Sequence, residues 1–374
     1  MKVPFNKLYI SGNEFNYMQR AVDSDHLHGD GKLTAACHEK LRELTGANLA
    51  LLTTSGTASL DMAALLCNLS EKDEVIIPSY TFVSTANAFA LRGAKIAWCD
   101  VREDTLNIDE TKIEALINEN TKAIVPVHYA GVSCEMDTIL KIAKKYSLKV
   151  IEDAAQGMCA YYKGRALGSM GDLGALSFHG SKNITCGEGG AILVNDKSLE
   201  FRAYVVREKG TNRTEFMQGK ADKYTWVDYG SSFLPSELSA AYLLAQLENA
   251  REITKLRVDA WNYYYESLKP LSDASLIKLA TIPEGCVHNA HIFYLLANSE
   301  SDAKKIFAHL KEKGVAATSH YAPLHNSPMG KKLSKPSVLE VSESVAKRIV
   351  RLPIFSSITR EQQDWVCDSI REIF

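Results

Sequence analysis

Two side chains in this sequence have the types and settings for one kind of chemistry. Lys182 stands in Ser177-Phe178-His179-Gly180-Ser181-Lys182-Asn183, a polar turn after an apolar run over 174–178. A second apolar run, over 191–194, follows the glycines of Cys186-Gly187-Glu188-Gly189-Gly190. Asp153 ends another apolar run, within Lys149-Val150-Ile151-Glu152-Asp153-Ala154-Ala155-Gln156. A charge held between buried strands is costly unless it is exposed, paired or chemically used. A lysine that forms a Schiff base and an aspartate that pairs with a pyridinium nitrogen are the minimum protein equipment for pyridoxal 5′-phosphate (PLP) chemistry. The plainer readings are a surface lysine and a helix-capping aspartate.

A third stretch suits a phosphate. Thr54-Ser55-Gly56-Thr57-Ala58-Ser59 follows an apolar run over 49–53 and opens a helical pattern that continues to Leu69. The free N–H groups and dipole of a helix start attract anions. Gly56 lets the backbone come close and Thr57 adds a hydroxyl; a plain N-cap is the alternative. There is no Walker lysine and no GxGxxG, which argues against a nucleoside triphosphate or dinucleotide fingerprint.

With Pro78-Ser79-Tyr80-Thr81-Phe82, these motifs resemble those of the DegT/DnrJ/EryC1/StrS family, PLP-dependent aminotransferases of nucleotide-linked keto sugars. The resemblance runs over essentially the whole chain. Within the family, the runs 78–94 and 125–136 look most similar to the branch that aminates C4 of TDP-4-oxo-6-deoxyglucose to give TDP-fucosamine. The resemblance implies an α/β chain of fold type I, aspartate aminotransferase-like, with PLP as cofactor. It makes Lys182 and Asp153 catalytic and puts Gln156 near the phenolic oxygen of PLP. Phe82 would stack on the ring, with a core phenylalanine as the rival reading. Gly56, Thr57 and Ser177 would hold the phosphate. Relatives that dehydrate sugars carry histidine where Lys182 stands, so lysine implies transamination.

One segment departs from the family pattern. The family's Gly-x-Asn-x-Arg reads Gly230-Ser231-Ser232-Phe233-Leu234 here. Ser232 would then take the place of an asparagine that reaches the neighbouring subunit's phosphate, with a shorter reach. His320-Tyr321-Ala322-Pro323-Leu324-His325 resembles the sugar-nucleotide motif, slightly altered. His320, Tyr321 and His325, with His179, Lys209 and Arg213, are the substrate-binding candidates; surface or interface roles are equal readings. The resemblance further implies L-glutamate as amino donor, a nucleotide sugar as acceptor, and at least a homodimer.

These residues need elements to position them. Apolar runs of four to six residues alternate with amphipathic patterns from 49 to 153, which implies a mostly parallel sheet covered on both faces. Ligands bind at the carboxyl ends of such strands, where 55–57, 80–82, 128–129, Asp153 and Ser177 all fall. Strands are expected over 95–101, 123–128, 292–297 and 315–319. Helices are expected over 14–22, 34–44, 301–313, 341–351 and 360–373, with a helix-rich stretch over 235–268. We expect a large PLP-binding domain, 1–250, and a smaller C-terminal α/β domain, 251–374, because single cores seldom exceed roughly 250–300 residues.

Composition sets the remaining bounds. A net charge of −2 over 374 residues gives no basic surface that would suggest nucleic acid. No apolar run reaches the roughly 18 residues of a membrane span, and the first residues lack a signal-peptide h-region. The 8 cysteines show neither CxxC pairing nor metal-ligand spacing, as in free thiols of a cytoplasmic protein. His26 and His28 have no further ligand nearby, so their loop reads as polar rather than metal-binding. Alternatives within the family are a C3 aminotransferase or the C4 epimer. Outside it stand a nicotinamide-dependent sugar oxidoreductase and a non-catalytic PLP-fold binder.

Overall fold

A computed structural model of the chain describes residues 1–334 and 337–374. The first strands are β1 (Leu49–Thr53), β2 (Glu74–Pro78), β3 (Lys95–Cys99), β4 (Thr121–Ile124) and β5 (Lys149–Asp153). Two short strands follow, β6 (Tyr161–Tyr162) and β7 (Arg165–Ala166), and then β8 (Leu173–Ser177) and β9 (Gly190–Val194). The main sheet has seven strands in the order β1-β9-β8-β5-β4-β2-β3. The pairs β2–β3, β2–β4, β4–β5 and β5–β8 are parallel. Strand β9 runs against both neighbours, β1 and β8. Adjacent antiparallel strands need no crossover helix, so the loop from β8 to β9 stays at the carboxyl edge of the sheet. That loop carries Lys182.

The side chains of these strands alternate between two cores. Ala50, Leu52, Ile124 and Val150 pack on one face; Leu51, Ala123, Ile151 and Ile192 pack on the other. The first face is covered by helices Lys32–Thr45 and Glu237–Glu248, the second by Gly56–Leu66 and Val83–Ala90. Burial on both faces is why the strands read as continuous apolar runs.

The C-terminal part has its own core around β10 (Ile277–Leu279), β12 (Phe293–Ala297) and β13 (Ile349–Leu352), an antiparallel sheet in the order β10-β12-β13. Strand β11 (Cys286–Val287) pairs with β6 instead. Helices Ala250–Asp273, Glu300–Glu312 and Arg360–Arg371 pack on this core.

Several expected elements differ. The helix expected over 341–351 ends at Arg348, and Ile349–Leu352 is a strand. Two β-branched residues in a buried run, ahead of Pro353, favour extended backbone. The strand expected over 315–319 reduces to bridges at Val315 and Thr318. The strand expected over 123–128 ends at Ile124, with a further bridge at Val127. The helix-rich stretch is two helices that meet at Asn249, whose Nδ2 donates to the Ala245 carbonyl.

Candidate active site

A cavity of about 640 Å³ opens at the carboxyl ends of β1, β2, β5 and β8. Its floor is Asp153, 5% exposed at the end of β5. Thr85 Oγ1 donates to Asp153 Oδ2 at 2.7 Å, and the Ala155 N–H donates to Oδ1 at 3.1 Å. Thr81 Oγ1 in turn lies 2.8 Å from Thr85 Oγ1. The carboxylate is therefore fixed in place and still faces the cavity as an acceptor.

Lys182 lines the same cavity. Its turn is closed by the Lys182 N–H donating to the His179 carbonyl at 2.9 Å. Loss of water around the ammonium is the main cause that lowers its pKa from 10.5 to about 8. Asp153 opposes that shift and the Arg351 guanidinium adds to it. The next residue, Asn183, is anchored twice. Its Nδ2 donates to the Asn289 carbonyl at 2.8 Å, and its Oδ1 meets His291 Nδ1 at 2.9 Å. Burial, then the charges of Lys182, Arg257 and Arg351, hold His291 well below the usual histidine range. The neutral ring thus presents Nδ1–H to Asn183.

The phosphate candidates meet at one end. Ser55 caps the helix Gly56–Leu66 by accepting from the Ala58 N–H at 3.0 Å. Thr57 Oγ1 lies 2.8 Å from Ser84 Oγ. Gly56 and Ser177 are packed so closely that a Cβ on Gly56 would stand 2.8 Å from the Ser177 Cβ. Hydroxyls and helix N–H groups thus converge on one spot, as a phosphate needs.

Gln156 sits beside Asp153. Its Oε1 accepts from the Ala130 N–H at 2.7 Å, and its Nε2 donates to Tyr321 Oη at 3.1 Å. That contact ties β5 to the C-terminal part. It depends on a tight turn at Ala130 and Gly131, both at positive φ; a Cβ on Gly131 would stand 1.9 Å from Asn289 Oδ1. Phe82 stands at the N-cap position of the helix Val83–Ala90 and is 56% exposed within the cavity wall, its ring 6.3 Å from that of Tyr321 and tilted by 48°. A loop lysine, a buried carboxylate, a phosphate end and an exposed aromatic ring fit a flat, phosphate-bearing, pyridinium cofactor.

His179, His320 and Tyr321 also line the cavity. His179 Nδ1 accepts from the Ser181 N–H at 3.1 Å. The other substrate candidates lie elsewhere. Lys209 and Arg213 both pair with Glu208, at 3.3 and 3.7 Å, and Ser232 bridges to Glu208 in backbone pairing. None of the three lines the cavity of its own chain. His325 is buried between Ser79 Oγ, at 2.6 Å, and Glu343 Oε1, at 3.1 Å. It joins β2 to the C-terminal part and does not line the cavity.

Several lining residues carried no motif: Thr85, Arg257, His291, Arg351 and, from the N-terminal segment, Phe5. The one signal for Arg351 is a charge inside the apolar run Ile349-Val350-Arg351-Leu352, all of which is buried.

The profile of the DegT/DnrJ/EryC1/StrS aminotransferase family matches residues 9–371. An uncharacterized protein of Methanocaldococcus jannaschii, MJ1066, is 33% identical, over 97% of this chain and 95% of that protein. The GDP-perosamine synthase of Escherichia coli O157:H7 is 29% identical, over 100% of this chain and 98% of that enzyme. Among solved structures, Helicobacter pylori PseC, an aminotransferase of pseudaminic acid biosynthesis, superposes with a TM-score of 0.91 at 26% identity. That match covers 100% of this chain and 99% of the other.

Proposed function

Because this chain belongs to the DegT/DnrJ/EryC1/StrS aminotransferase family, whose cofactor is PLP, we propose that it moves an amino group from L-glutamate to C4 of TDP-4-oxo-6-deoxy-D-glucose, giving TDP-4-amino-4,6-dideoxy-D-galactose. The observation that supports amino transfer is the pair Lys182 and Asp153 in one cavity, with the lysine amine lowered to about 8. An amine with that pKa can both take and give a proton near neutrality.

PLP, when bound, supplies the electron sink for charge left on carbon. Asp153, fixed by Thr85 and Ala155, would accept from the pyridine N–H and keep that nitrogen protonated. Gly56, Thr57, Ser177 and the helix start that Ser55 caps would hold the phosphate, and Phe82 would stack on the ring. Lys182 Nζ would hold the cofactor covalently and would be freed when a donor amine takes its place. Its free amine would then carry the proton between the donor's α-carbon and C4′ of the cofactor. Glutamate leaves as 2-oxoglutarate, and the sugar's C4 carbonyl becomes an amine. His179, His320 and Tyr321 contact the sugar nucleotide.

The choice of a TDP sugar rests on the runs 78–94 and 125–136. Both contribute to this region: Thr81, Phe82, Ser84, Thr85 and Val127 line the cavity. Tyr129 packs against Tyr80 and Tyr321 at 5.5 and 6.2 Å. A GDP-linked acceptor is the second reading, favoured by the relative named GDP-perosamine synthase.

We take the active form to be a homodimer. Trp226, 75% exposed, and Tyr229, 66% exposed, directly precede the segment that carries Ser232. Pairing of copies there would cover these rings and bring Ser232, Lys209 and Arg213 toward a neighbour's cavity. Sedimentation of a monomer at working concentration would remove this part of the reading.

NMR of the product from TDP-4-oxo-6-deoxyglucose, PLP and L-glutamate tests the whole. An axial C4 amine is expected. An equatorial C4 amine or a C3 amine would replace the assignment, and turnover of a GDP-linked 4-oxo sugar alone would replace the nucleotide.

A further inference from the structure

Residues 3–6 run along the cavity from the C-terminal part to the Lys182 turn and are tied down at both ends. Val3, 1% exposed, bridges to Val315. Its N–H donates to the Gly314 carbonyl and its carbonyl accepts from the Ala316 N–H, both at 3.0 Å. Pro4 has no N–H and cannot extend this pairing, so the chain leaves the edge there. Phe5 and Asn6 then line the cavity. Arg351 Cζ stands over the Phe5 ring, 5.0 Å from its centre, and Asn6 Nδ2 donates to the Gly180 carbonyl at 3.4 Å. Three residues span at most roughly 10–11 Å, so little slack lies between the two ties. Gly314 accommodates the crossing: it stands at φ 76°, and a Cβ there would fall 2.6 Å from the Met1 carbonyl oxygen.

We propose that residues 3–6 are a strap that seals the cavity, and that Phe5 is a positioning residue that keeps water from Lys182. Loss of hydration is the largest cause of the lowered Lys182 pKa. The turn itself is open, however: His179, Gly180 and Ser181 are all exposed. The dry side must therefore be supplied by what packs over the turn from elsewhere. Asn6 holds the strap against Gly180, two residues before Lys182, and Phe5 is the apolar ring that this tie brings to the cavity. The same ring steadies Arg351, since a cation over an aromatic face is attracted to it, and the Arg351 charge adds to the lowering at Lys182. Excluding water strengthens every charge interaction inside a site. One side chain thus serves both causes without touching the reacting atoms, and the bridge at Val3 keeps it there.

The seal rests on the reading that Lys182 takes up PLP, and its test needs neither donor nor sugar. Cofactor-free protein is mixed with PLP across a pH series, and the absorbance of bound cofactor gives the midpoint of uptake, near 8 in the wild type. Phe5→Ala opens the seal and should raise that midpoint by about one pH unit, toward the 10.5 of a hydrated lysine. Phe5→Leu keeps an apolar cover and should recover most of the difference. No charge changes in either variant. Asp153, Arg257, Arg351, His179 and Glu188 still share the cavity, with His291 and His320 held neutral by burial. Gly314→Val tests the tie from outside the cavity. It should speed hydrogen exchange at the Val3 and Ala316 amides and raise the midpoint as Phe5→Ala does. Val3→Asn, which would bury an unpaired amide, gives the same test if Gly314→Val does not fold. A midpoint unmoved in Phe5→Ala overturns the seal while Lys182 remains the cofactor lysine. Freed amides with an unmoved midpoint overturn the strap. If the wild type takes up no PLP at any pH, the reading of Lys182 and the strap fall together.

Discussion

Thr85 Oγ1 donates to Asp153 Oδ2 at 2.7 Å, so the carboxylate on the cavity floor is held by a hydroxyl in the first turn of the helix Val83–Ala90. A hydrogen bond to a charged group contributes about 1.5–3 kcal/mol. Thr85→Val keeps the shape and removes the donor. It should lower kcat by roughly 10-fold or more, with PLP bound more weakly, and Thr85→Ser should restore most of the loss. Steady-state kinetics and the retained absorbance of bound PLP check this. Equal loss in both variants would point to packing instead.

Lys182 should titrate far below an ordinary lysine. Its pKa is lowered from 10.5 to about 8, by loss of hydration first and by Arg351 second, against Asp153. The neutral amine is the form that attacks an aldehyde, so cofactor uptake by cofactor-free protein should rise with pH through a midpoint near 8. At pH 7.5 roughly a quarter of Lys182 is neutral, against about one part in a thousand for an unperturbed lysine. Asp153→Asn removes the opposing charge and should move the midpoint down; Arg351→Met should move it up. A midpoint that stays near 10.5 would contradict this.

Gly131 is the most constrained glycine of the site. It stands at φ 76°, and a Cβ would fall 1.9 Å from Asn289 Oδ1. Asn289 also anchors the Gln156 and Met158 carbonyls, at 2.8 Å each. Gly131→Ala should destabilise the fold by about 1–3 kcal/mol. Denaturant unfolding would show it as a lower midpoint with unchanged slope.

Buried Glu152 locks the segment behind Asp153. Its carboxylate accepts from His128 Nε2 at 2.9 Å and from the N–H groups of Gly168, Met170 and Gly171 at 2.8, 2.6 and 2.6 Å. Burial pushes its pKa up, and these donors outweigh it, leaving the pKa lowered. The resulting stability is present above the unfolded carboxylate pKa and is lost as pH falls through the folded one. Glu152→Leu leaves four donors without an acceptor and should cost about 3–5 kcal/mol, read by denaturant unfolding. An unchanged midpoint would contradict it.

The parts of this site that are legible in the sequence are local ones. Asp153, Ser55 to Thr57 and Ser177 each follow an apolar run that a two-sided sheet must bury, and in such a sheet the carboxyl ends of the strands share one edge. Lys182 is legible because an isolated polar turn separates two such runs. Thr85, Arg257, His291 and Arg351 reach the cavity through tertiary packing, from a helix face, a long helix, a loop and an edge strand, and no spacing links them. Arg351 is harder still. The helical period over 341–351 hides the change to a strand at Ile349, which the antiparallel pairing with β12 enforces. Ser232 is a candidate by motif, Lys209 and Arg213 by charge; both charges pair with nearby Glu208, and the bridge that brings Ser232 to Glu208 is backbone pairing that a linear pattern does not contain.

Borohydride reduction of the PLP-loaded protein, followed by digestion and mass spectrometry, bears most directly on Lys182 as the lysine of the site. The reduced cofactor should be found on the peptide that contains Lys182 and on no other lysine. Lys182→Ala should carry no label, retain the fold, and lose turnover by at least the 10²–10⁴-fold or so that proton transfer alone contributes. A label on another lysine, or turnover preserved in Lys182→Ala, would contradict the assignment.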